Sequence, residues 1–188
     1  MIDEIIKKRM SVYPKSYNEA EISKETLMDL LSLADAAPTH KKTEPWRFRI
    51  FHSEESRQKL SDHLGADYEE QNKAGGFSAF KFKKVKAKPM QSAVVLAIVM
   101  QRDEAERVPE WEEVASVAMA VQNIWLGCAA RNIGSYWSSP SSITKRSNAF
   151  LELKPGERCL GLFYMGYVDA FEVKDKERED INNKIYWI

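Results

Sequence analysis

Hydrophobic residues recur along the chain with the period of a helix in some segments and the period of a strand in others. Leu27, Leu30 and Leu31, followed by Ala34, keep the spacing of one helix face, and Ser23 precedes them as a suitable N-cap. Four further segments combine capping residues or charge order with apolar faces and predict helices: residues 2–10, 53–64, 109–130 and 145–153.

Strand-like patterns occupy other segments. Residues 46–51 alternate between apolar and charged side chains, which predicts a strand with one buried face. Residues 92–100 and 159–167 are almost continuous apolar runs, which are typical of strands buried on both faces. A short extended piece is expected to follow Gly134 and to end at Tyr136-Trp137, so the chain mixes helices and strands.

Residues 65–90 are less regular than their neighbours. They carry many charges and are interrupted by Gly75-Gly76, so we predict helical pieces that break at the glycines and form a mobile cover. A length of 188 residues fits a single compact domain that spans residues 1–188.

The composition narrows the possible functions. Hydrophobic residues make up 44% of the chain and aromatic residues 11%, which argues against a disordered chain. Twenty-eight basic residues face 28 acidic ones, so the basic excess typical of a nucleic-acid-binding protein is missing. The basic cluster is interpreted as a solvated surface: Lys81, Lys83, Lys84, Lys86 and Lys88.

The cysteines and the apolar runs bear on location. Cys128 and Cys159 cannot form a disulfide framework, so a reducing, cytoplasmic location is expected. The chain becomes charged at Asp3 and Glu4, which argues against a secretory signal. The longest apolar run, residues 93–100, has eight residues, whereas a membrane helix needs about 20. We therefore expect neither a membrane nor a nucleic acid as partner.

Motifs of several other chemistries are missing from the sequence. His40, His52 and His63 lack the spacing of a zinc site. There is no Gly-x-Ser-x-Gly elbow for acyl transfer, no Gly-x-Gly-x-x-Gly fingerprint and no P-loop. A bound organic cofactor is therefore the expected source of any reactivity.

The segment that joins the helix after Ser23 to the first strand is rich in polar groups. Pro38 prevents the helix from continuing, and Pro45 biases Glu44 toward an extended conformation. The residues between the two prolines carry side-chain donors. They predict a rigid polar loop, residues 38–45, that can lie against a flat, polar ligand.

Four segments, in the same order, resemble the nitroreductase superfamily. Residues 37–48, Ala-Pro-Thr-His-Lys-Lys-Thr-Glu-Pro-Trp-Arg-Phe, are similar to its early signature Ala-Pro-Ser-x-x-Asn-x-Gln-Pro-Trp-x-Phe. Arg9-Met10-Ser11 stands where that superfamily carries Arg-Arg-Ser. Residues 127–138 resemble its small-residue helix end, Gly-Leu-Gly and aromatic residue, and residues 161–167 resemble its last core strand.

This resemblance implies an α+β fold of the nitroreductase type, with a central, mostly antiparallel sheet of four or five strands wrapped by helices. It implies a homodimer in which the C-terminal arm is exchanged, with residues 185–188 as an anchor on the partner. It also implies an FMN-dependent oxidoreductase. Hydride would pass from NADH or NADPH to flavin N5 and then to a small-molecule acceptor, such as a nitroaromatic or a quinone, without a catalytic protein residue.

The resemblance assigns the FMN phosphate and ribityl contacts to the phosphate segment, Arg9, Met10 and Ser11. Met10 replaces a second arginine of the superfamily, so one cation is missing although a backbone contact can remain. The alternative for Arg9 is a cation that stabilises the C-terminal end of the first helix.

Thr39, His40 and Lys42 are candidates for the flavin edge or the substrate side. Lys42 replaces the asparagine or serine of the superfamily. Near flavin N1 it would stabilise the anionic reduced ring, and otherwise it points to solvent. His40 either contacts substrate across the dimer or caps a helix.

Tyr136, Trp137, Ser138 and Ser139 fall in a segment that contacts the cofactor in the superfamily. Trp137 would then form a wall for the flavin ring, and the alternative is an ordinary core residue. The hydroxyls of Ser138 and Ser139 favour a polar ligand nearby.

Two functions of other classes remain open. One is a flavin- or tetrapyrrole-binding protein with a regulatory or sequestering role and negligible turnover, which the missing arginine at Met10 favours. The other is an interaction domain without a cofactor.

Overall fold

The structure, a computed structural model, describes residues 1–171 and 178–188. Within these ranges the α-helices are α1 Ile2–Lys8, α2 Lys24–Ser32, α3 Glu54–Gln71, α4 Ala79–Met90, α5 Glu110–Ala130 and α6 Ser141–Thr144. The strands are β1 Trp46–Phe51, β2 Val94–Gln101, β3 Ile133–Ser138 and β4 Glu157–Tyr167. Short 3₁₀ turns cover Pro14–Ser16, Leu33–Ala36, His40–Lys42 and Ile181–Lys184.

The four strands form one antiparallel sheet in the order β1-β2-β4-β3. Ser11 makes an isolated parallel bridge to Ser135, and the Val12 amide donates a 3.0 Å hydrogen bond to the Ser135 carbonyl. The segment after α1 therefore lies along the free edge of β3. The predicted α+β class with an antiparallel sheet is confirmed.

The sheet has helices on both faces. Side chains of β2 alternate between the two faces, so Leu96 and Ile98 enter a core with α2 and α5, while Val95 and Ala97 enter a second core with α3. All of β2 up to Met100 is buried, which confirms the prediction of a strand covered on both sides.

Helix α5 forms the centre of the first core. Among the described residues it is the one helix that is long and apolar enough to cross a membrane. The sequence analysis considered only the longest uninterrupted apolar run, residues 93–100, and so did not identify α5 as a helix of membrane-spanning length. However, half of its most apolar 18-residue stretch is buried in the structure, and Val117, Val121 and Ile124 pack in the core with the sheet. This is the environment of a core helix.

Residues 65–90 form the end of α3, a turn and α4. Helix α3 continues seven residues past Leu64, to Gln71. The chain then turns through Gly75 and Gly76, which adopt φ angles of 137° and 87° that side-chain-bearing residues rarely adopt. The predicted break at the glycines is confirmed, and the mobility of this cover stays a prediction.

The helix predicted over residues 145–153 is wrong. The short α6 ends at Thr144, before this range, and residues 145–153 form turns. The Ser147 hydroxyl donates to the Ser142 carbonyl and lies 2.7 Å from His63 Nε2, so this side chain competes with helical backbone bonds. Glu152 has a φ of 50°, which also ends any regular helix.

The chain after β4 leads to an exposed C-terminus. Tyr186 and Trp187 are 84% and 95% exposed. The charged part of the expected C-terminal arm, residues 172–177, lies outside the described residues.

Candidate active site

The phosphate segment begins where α1 ends. Arg9 is the C-cap of α1 and turns the chain toward β3. Its guanidinium carbon lies 4.5 Å from the centre of the Trp125 ring on α5. Burial, followed by the nearby charge of Arg178, lowers the pKa of Arg9. Two cations from distant parts of the sequence therefore face the same region.

The bridge between Ser11 and Ser135 fixes the phosphate segment against β3. A cavity of about 610 Å³ opens beside it, with Met10, Ser11 and Val12 on one side and Val168 and Asp169 on the other. The structure thus brings residues 9–11 together with the strand that carries the predicted cofactor-contacting segment.

Neighbouring residues of β3 face opposite sides of the sheet. The Tyr136 ring stacks on Tyr164 with centroids 6.0 Å apart and contacts the Tyr13 ring at 4.6 Å. Trp137 points to the other side, where its Nε1 donates a 3.2 Å hydrogen bond to the Leu160 carbonyl and its ring packs against the core. These contacts support the alternative that Trp137 is a core residue. Its role as a wall for the flavin ring stays a prediction.

Ser138 and Ser139 lie at the end of this strand. Ser138 pairs with Leu162 as the last residue of β3, and Ser139 is exposed just beyond it. Ser138 is partly exposed, and a contact of either hydroxyl with a polar ligand stays a prediction.

The polar loop is anchored at the other end of α5. His40 Nδ1 lies 2.6 Å from Glu112 Oε2, and Lys41 Nζ donates a 2.9 Å hydrogen bond to the Arg107 carbonyl. The Thr39 hydroxyl accepts from the Glu44 amide at 3.0 Å. Lys42 is exposed, and its side chain makes no hydrogen bond or ion pair within residues 1–171 and 178–188.

The backbone of the polar loop is unusual. Lys41, Lys42 and Glu44 have φ angles of 49°, 54° and 42°, in the left-handed region that residues with a Cβ seldom occupy. The extended conformation predicted for Glu44 is therefore wrong. The Thr39 hydroxyl binds its amide, and Arg47 Nη1 donates 2.8 Å to its carbonyl, so these bonds override the preference set by Pro45.

Ion pairs behind the loop support it. Arg102 pairs with Glu113, a fully buried carboxylate on α5 that also accepts 2.8 Å from the Asp103 amide. Arg107 binds Asp103 through its side chain and lowers the pKa of that carboxyl to about 2. The carbonyl that receives Lys41 is thus part of a fixed turn.

The phosphate segment and the polar loop do not meet within one chain. The first contacts α5 at Trp125 and the second at Glu112. These positions are 13 residues apart on one helix, which is about 20 Å at about 1.5 Å per residue. Thr39, His40 and Lys42 therefore lie apart from Arg9, Met10 and Ser11, a separation that sequence order does not reveal.

Arg178, whose charge contributes to the lowered pKa of Arg9, is a candidate site residue that the sequence analysis did not name. It belongs to a highly charged tail, where a single arginine does not stand out. No group of three or more histidine, cysteine or acidic side chains that could hold a metal ion occurs in the described part of the chain. The candidate site therefore offers cations, hydroxyls and aromatic rings.

Comparison with known proteins identifies relatives over nearly the whole chain. The sequence profile of the Nitroreductase family matches residues 6–167. The chain is 28% identical over 178 residues to YfhC of Bacillus subtilis (strain 168), which is named as an NAD(P)H nitroreductase. That match covers 94% of this chain and 89% of YfhC.

Solved structures share the fold. A nitroreductase-like family protein from Bacillus cereus superposes with a TM-score of 0.83 and 25% identity, covering 100% of this chain and 96% of that one. The FMN-dependent nitroreductase NfnB from Mycobacterium smegmatis, in complex with NADPH, superposes with a TM-score of 0.77 and 14% identity, covering 99% and 97% of the two chains. The nitroreductase-type fold predicted from the sequence is confirmed.

Proposed function

The chain belongs to the nitroreductase family, and from this premise we propose that it is an FMN-dependent oxidoreductase. It takes hydride from NADH or NADPH and reduces a small acceptor such as a nitroaromatic or a quinone. The placement of the phosphate segment against β3, beside a cavity of about 610 Å³, carries this proposal. The names of YfhC and NfnB support the choice of electron donor, and that of NfnB supports the cofactor.

The residues around the phosphate segment fit the phosphate and ribityl chain of FMN. Arg9 supplies a planar, forked donor suited to a phosphate, and Ser11 supplies a hydroxyl. The charge of Arg178 affects the pKa of Arg9, so in this proposal Arg178 supplies the second cation that is missing because Met10 replaces an arginine. The cavity volume of about 610 Å³ falls within the range of about 300–1,000 Å³ typical of small-molecule sites.

We assign the flavin ring to the end of β3. Tyr136 and Ser138 share one face of the strand, and Ser139 follows at the exposed end. When bound, FMN supplies the hydride chemistry. The residues of this chain bind its phosphate, orient its ring and shield it from water.

A second copy of the chain completes the site in this proposal. A two-fold dimer lets the polar loop of one copy approach the phosphate segment of the other, and it creates two equivalent sites. Thr39, His40 and Lys42 then reach the flavin edge or the acceptor from the partner. Exposed apolar side chains support such a partner, since Trp111 is 68% and Trp187 is 95% exposed.

We also propose a reducing, cytoplasmic location. Cys128 and Cys159 are free and buried. Burial raises the pKa of Cys128 to about 12 and that of Cys159 to about 11, so both thiols stay protonated and unreactive at neutral pH.

Spectroscopy of the purified protein tests the function. We expect a flavin spectrum at about one FMN per chain, as two equivalent sites per dimer require. NADH or NADPH should bleach that spectrum within seconds in the absence of oxygen. A protein that binds FMN and stays oxidised would support the sequestering role, and a colourless protein that ignores added FMN would refute the proposal.

A further inference from the structure

Helix α4 presents two different faces. Lys86 Nζ pairs with Asp62 of α3 at 2.9 Å, and Phe82 contacts the Tyr68 ring of α3 with centroids 6.3 Å apart. The opposite face carries Phe80, which is 76% exposed. Positions 80, 84, 87, 88 and 91 of this face follow the spacing of a single helix surface. One face of α4 is thus packed, and the other is open.

The open face borders a groove of about 470 Å³, which we call the lysine groove. Four lysines line it, and no acidic residue does: Lys15, Lys83, Lys84 and Lys88. None of these lysines forms an ion pair within residues 1–171 and 178–188, whereas Lys86 on the packed face does. Phe80 and Tyr13 supply apolar walls.

This arrangement favours a ligand of one kind. Four lysines along one groove that has no acidic residue in its lining produce a positive potential that attracts an anion, and low-dielectric aromatic walls concentrate that potential. The same aromatic walls offer contact area to a flat ring. A flat aromatic body that carries a negative charge complements both properties.

The lysine groove lies beside the proposed flavin position. Tyr13, one of its lining residues, contacts the Tyr136 ring, and Lys88 Nζ lies 5.4 Å from the centre of that ring. Tyr13 and Lys15 also border the cavity beside the phosphate segment. A ligand in the groove would therefore lie next to a cofactor on β3.

We propose that the lysine groove binds the acceptor and selects aromatic acceptors that carry a carboxylate. This inference rests on the proposed function, because the acceptor must lie beside the flavin. The phosphate of NADPH is the other anion that could occupy the groove. An experiment can distinguish it from the carboxylate of the acceptor, because donor and acceptor can be varied independently.

The test uses the FMN-loaded protein with 4-nitrobenzoate and its neutral counterpart 4-nitrobenzamide as acceptors and NADH as donor. Lys83→Gln/Lys84→Gln should lower the ratio of the two kcat/KM values, benzoate over benzamide, about three- to tenfold, as the loss of two exposed charge contacts predicts. The matched control, Lys59→Gln/Lys81→Gln, removes two exposed lysines outside the groove and should leave the ratio unchanged. Salt should lower the ratio in the unaltered protein.

A second measurement does not depend on turnover. Calorimetric titration with 4-nitrobenzoate should show weaker binding to Lys83→Gln/Lys84→Gln than to the unaltered protein and the control variant. An unchanged ratio together with unchanged binding would overturn the inference. So would a loss confined to the reaction with NADPH, because the donor phosphate would then be the occupant.

The two proposals fail in different ways. A protein that takes up no FMN and is not reduced by NADH refutes the proposed function. Titration of that protein with 4-nitrobenzoate then still decides whether the lysine groove binds an aromatic carboxylate.

Discussion

Arg9 is the residue on which the candidate site depends most. Its guanidinium lies over the Trp125 ring, and partial burial disfavours its charged form enough to lower its pKa. An arginine nevertheless stays charged in a protein. A cation that is held by an aromatic face and has lost part of its water is well prepared to bind a phosphate.

Arg9→Ala should raise the Kd of FMN about tenfold to a hundredfold, because a charge-assisted hydrogen bond contributes about 1.5–3 kcal/mol. Titration of flavin-free protein, followed by flavin fluorescence, measures the change. Lys24→Ala, which removes an exposed cation of α2 outside the site, is the control. If Arg9→Ala binds FMN as tightly as the control does, the phosphate lies elsewhere.

We expect that the second cation of the phosphate site can be supplied either by Arg178 or by an arginine placed at position 10. Arg178→Ala should weaken FMN binding by about tenfold, on the same energetic ground. Met10→Arg should tighten FMN binding. The double variant Met10→Arg/Arg178→Ala should have a Kd for FMN close to that of the unaltered protein. Circular dichroism verifies that the variants fold. Binding that is insensitive to Arg178→Ala would exclude this arginine from the phosphate site.

At the scale of elements, α5 organises the candidate site. Its first turn holds the polar loop through Glu112, and its later part supports Arg9 through Trp125. Buried Glu113 and its partner Arg102 join the start of the helix to the turn after β2. The positions of both halves of the site are therefore set by how α5 packs on the sheet.

Close packing of α5 on the segment after Ser23 requires a glycine at position 127. A Cβ added to Gly127 would overlap Leu33 Cδ1 and stand 3.0 Å from Leu30 Cδ2. Gly127→Ala should therefore destabilise the protein by about 1–3 kcal/mol through overpacking, despite the better helix propensity of alanine. Thermal unfolding measures the loss, with Gln122→Ala, at an exposed position of α5, as the control. A Tm above that of the unaltered protein would show that the helix can shift without cost.

Local patterns predicted the elements better than the loops. The alternation in residues 46–51 identified β1, although its apolar face is unevenly buried: Trp46 is buried and Ile50 is 43% exposed. The helix prediction for residues 145–153 was wrong because the Ser147 hydroxyl donates to a backbone carbonyl, a contact that hydrophobic periodicity does not reveal. The extended conformation predicted for Glu44 was wrong because its amide donates to the Thr39 hydroxyl. In both segments, hydrogen bonds between residues close in the sequence determine the backbone conformation.

The candidate site was predicted in part. The sequence identified the phosphate segment and its partner strand through motifs, and the structure places them side by side. It did not reveal that the polar loop lies at the far end of α5, because that distance depends on tertiary packing. Arg178 was missed because Arg9, whose pKa its charge lowers, is 169 positions away in the chain.

At the scale of the whole molecule, apolar side chains lie exposed near both ends of the chain. Ile2 is 62%, Trp187 95% and Tyr186 84% exposed. Clusters of this kind usually mark a protein–protein interface. Because the proposed flavin site needs a polar loop from a second copy, assembly and cofactor binding should be linked.

Deletion of residues 182–188 should weaken the dimer and release flavin. The linkage is thermodynamic, since a ligand that contacts both copies stabilises their association. Sedimentation with and without FMN measures the dimer, and free flavin fluorescence measures retention. Trp187→Ser/Ile188→Ser should reproduce the effect and Lys184→Gln should not. A shortened chain that stays dimeric and keeps its flavin would show that the terminus is no anchor.

The separation of the polar loop from the phosphate segment means that two defective chains can repair each other. Arg9→Ala spoils one contribution to each site, and His40→Ala spoils the other. In a mixed dimer, one site receives both altered parts and the other receives both intact parts. Co-expression of the two chains should therefore restore, in one site of each mixed dimer, the flavin affinity and turnover that are reduced in each altered chain alone. Mixed dimers as inactive as their parents would place both contributions within a single chain.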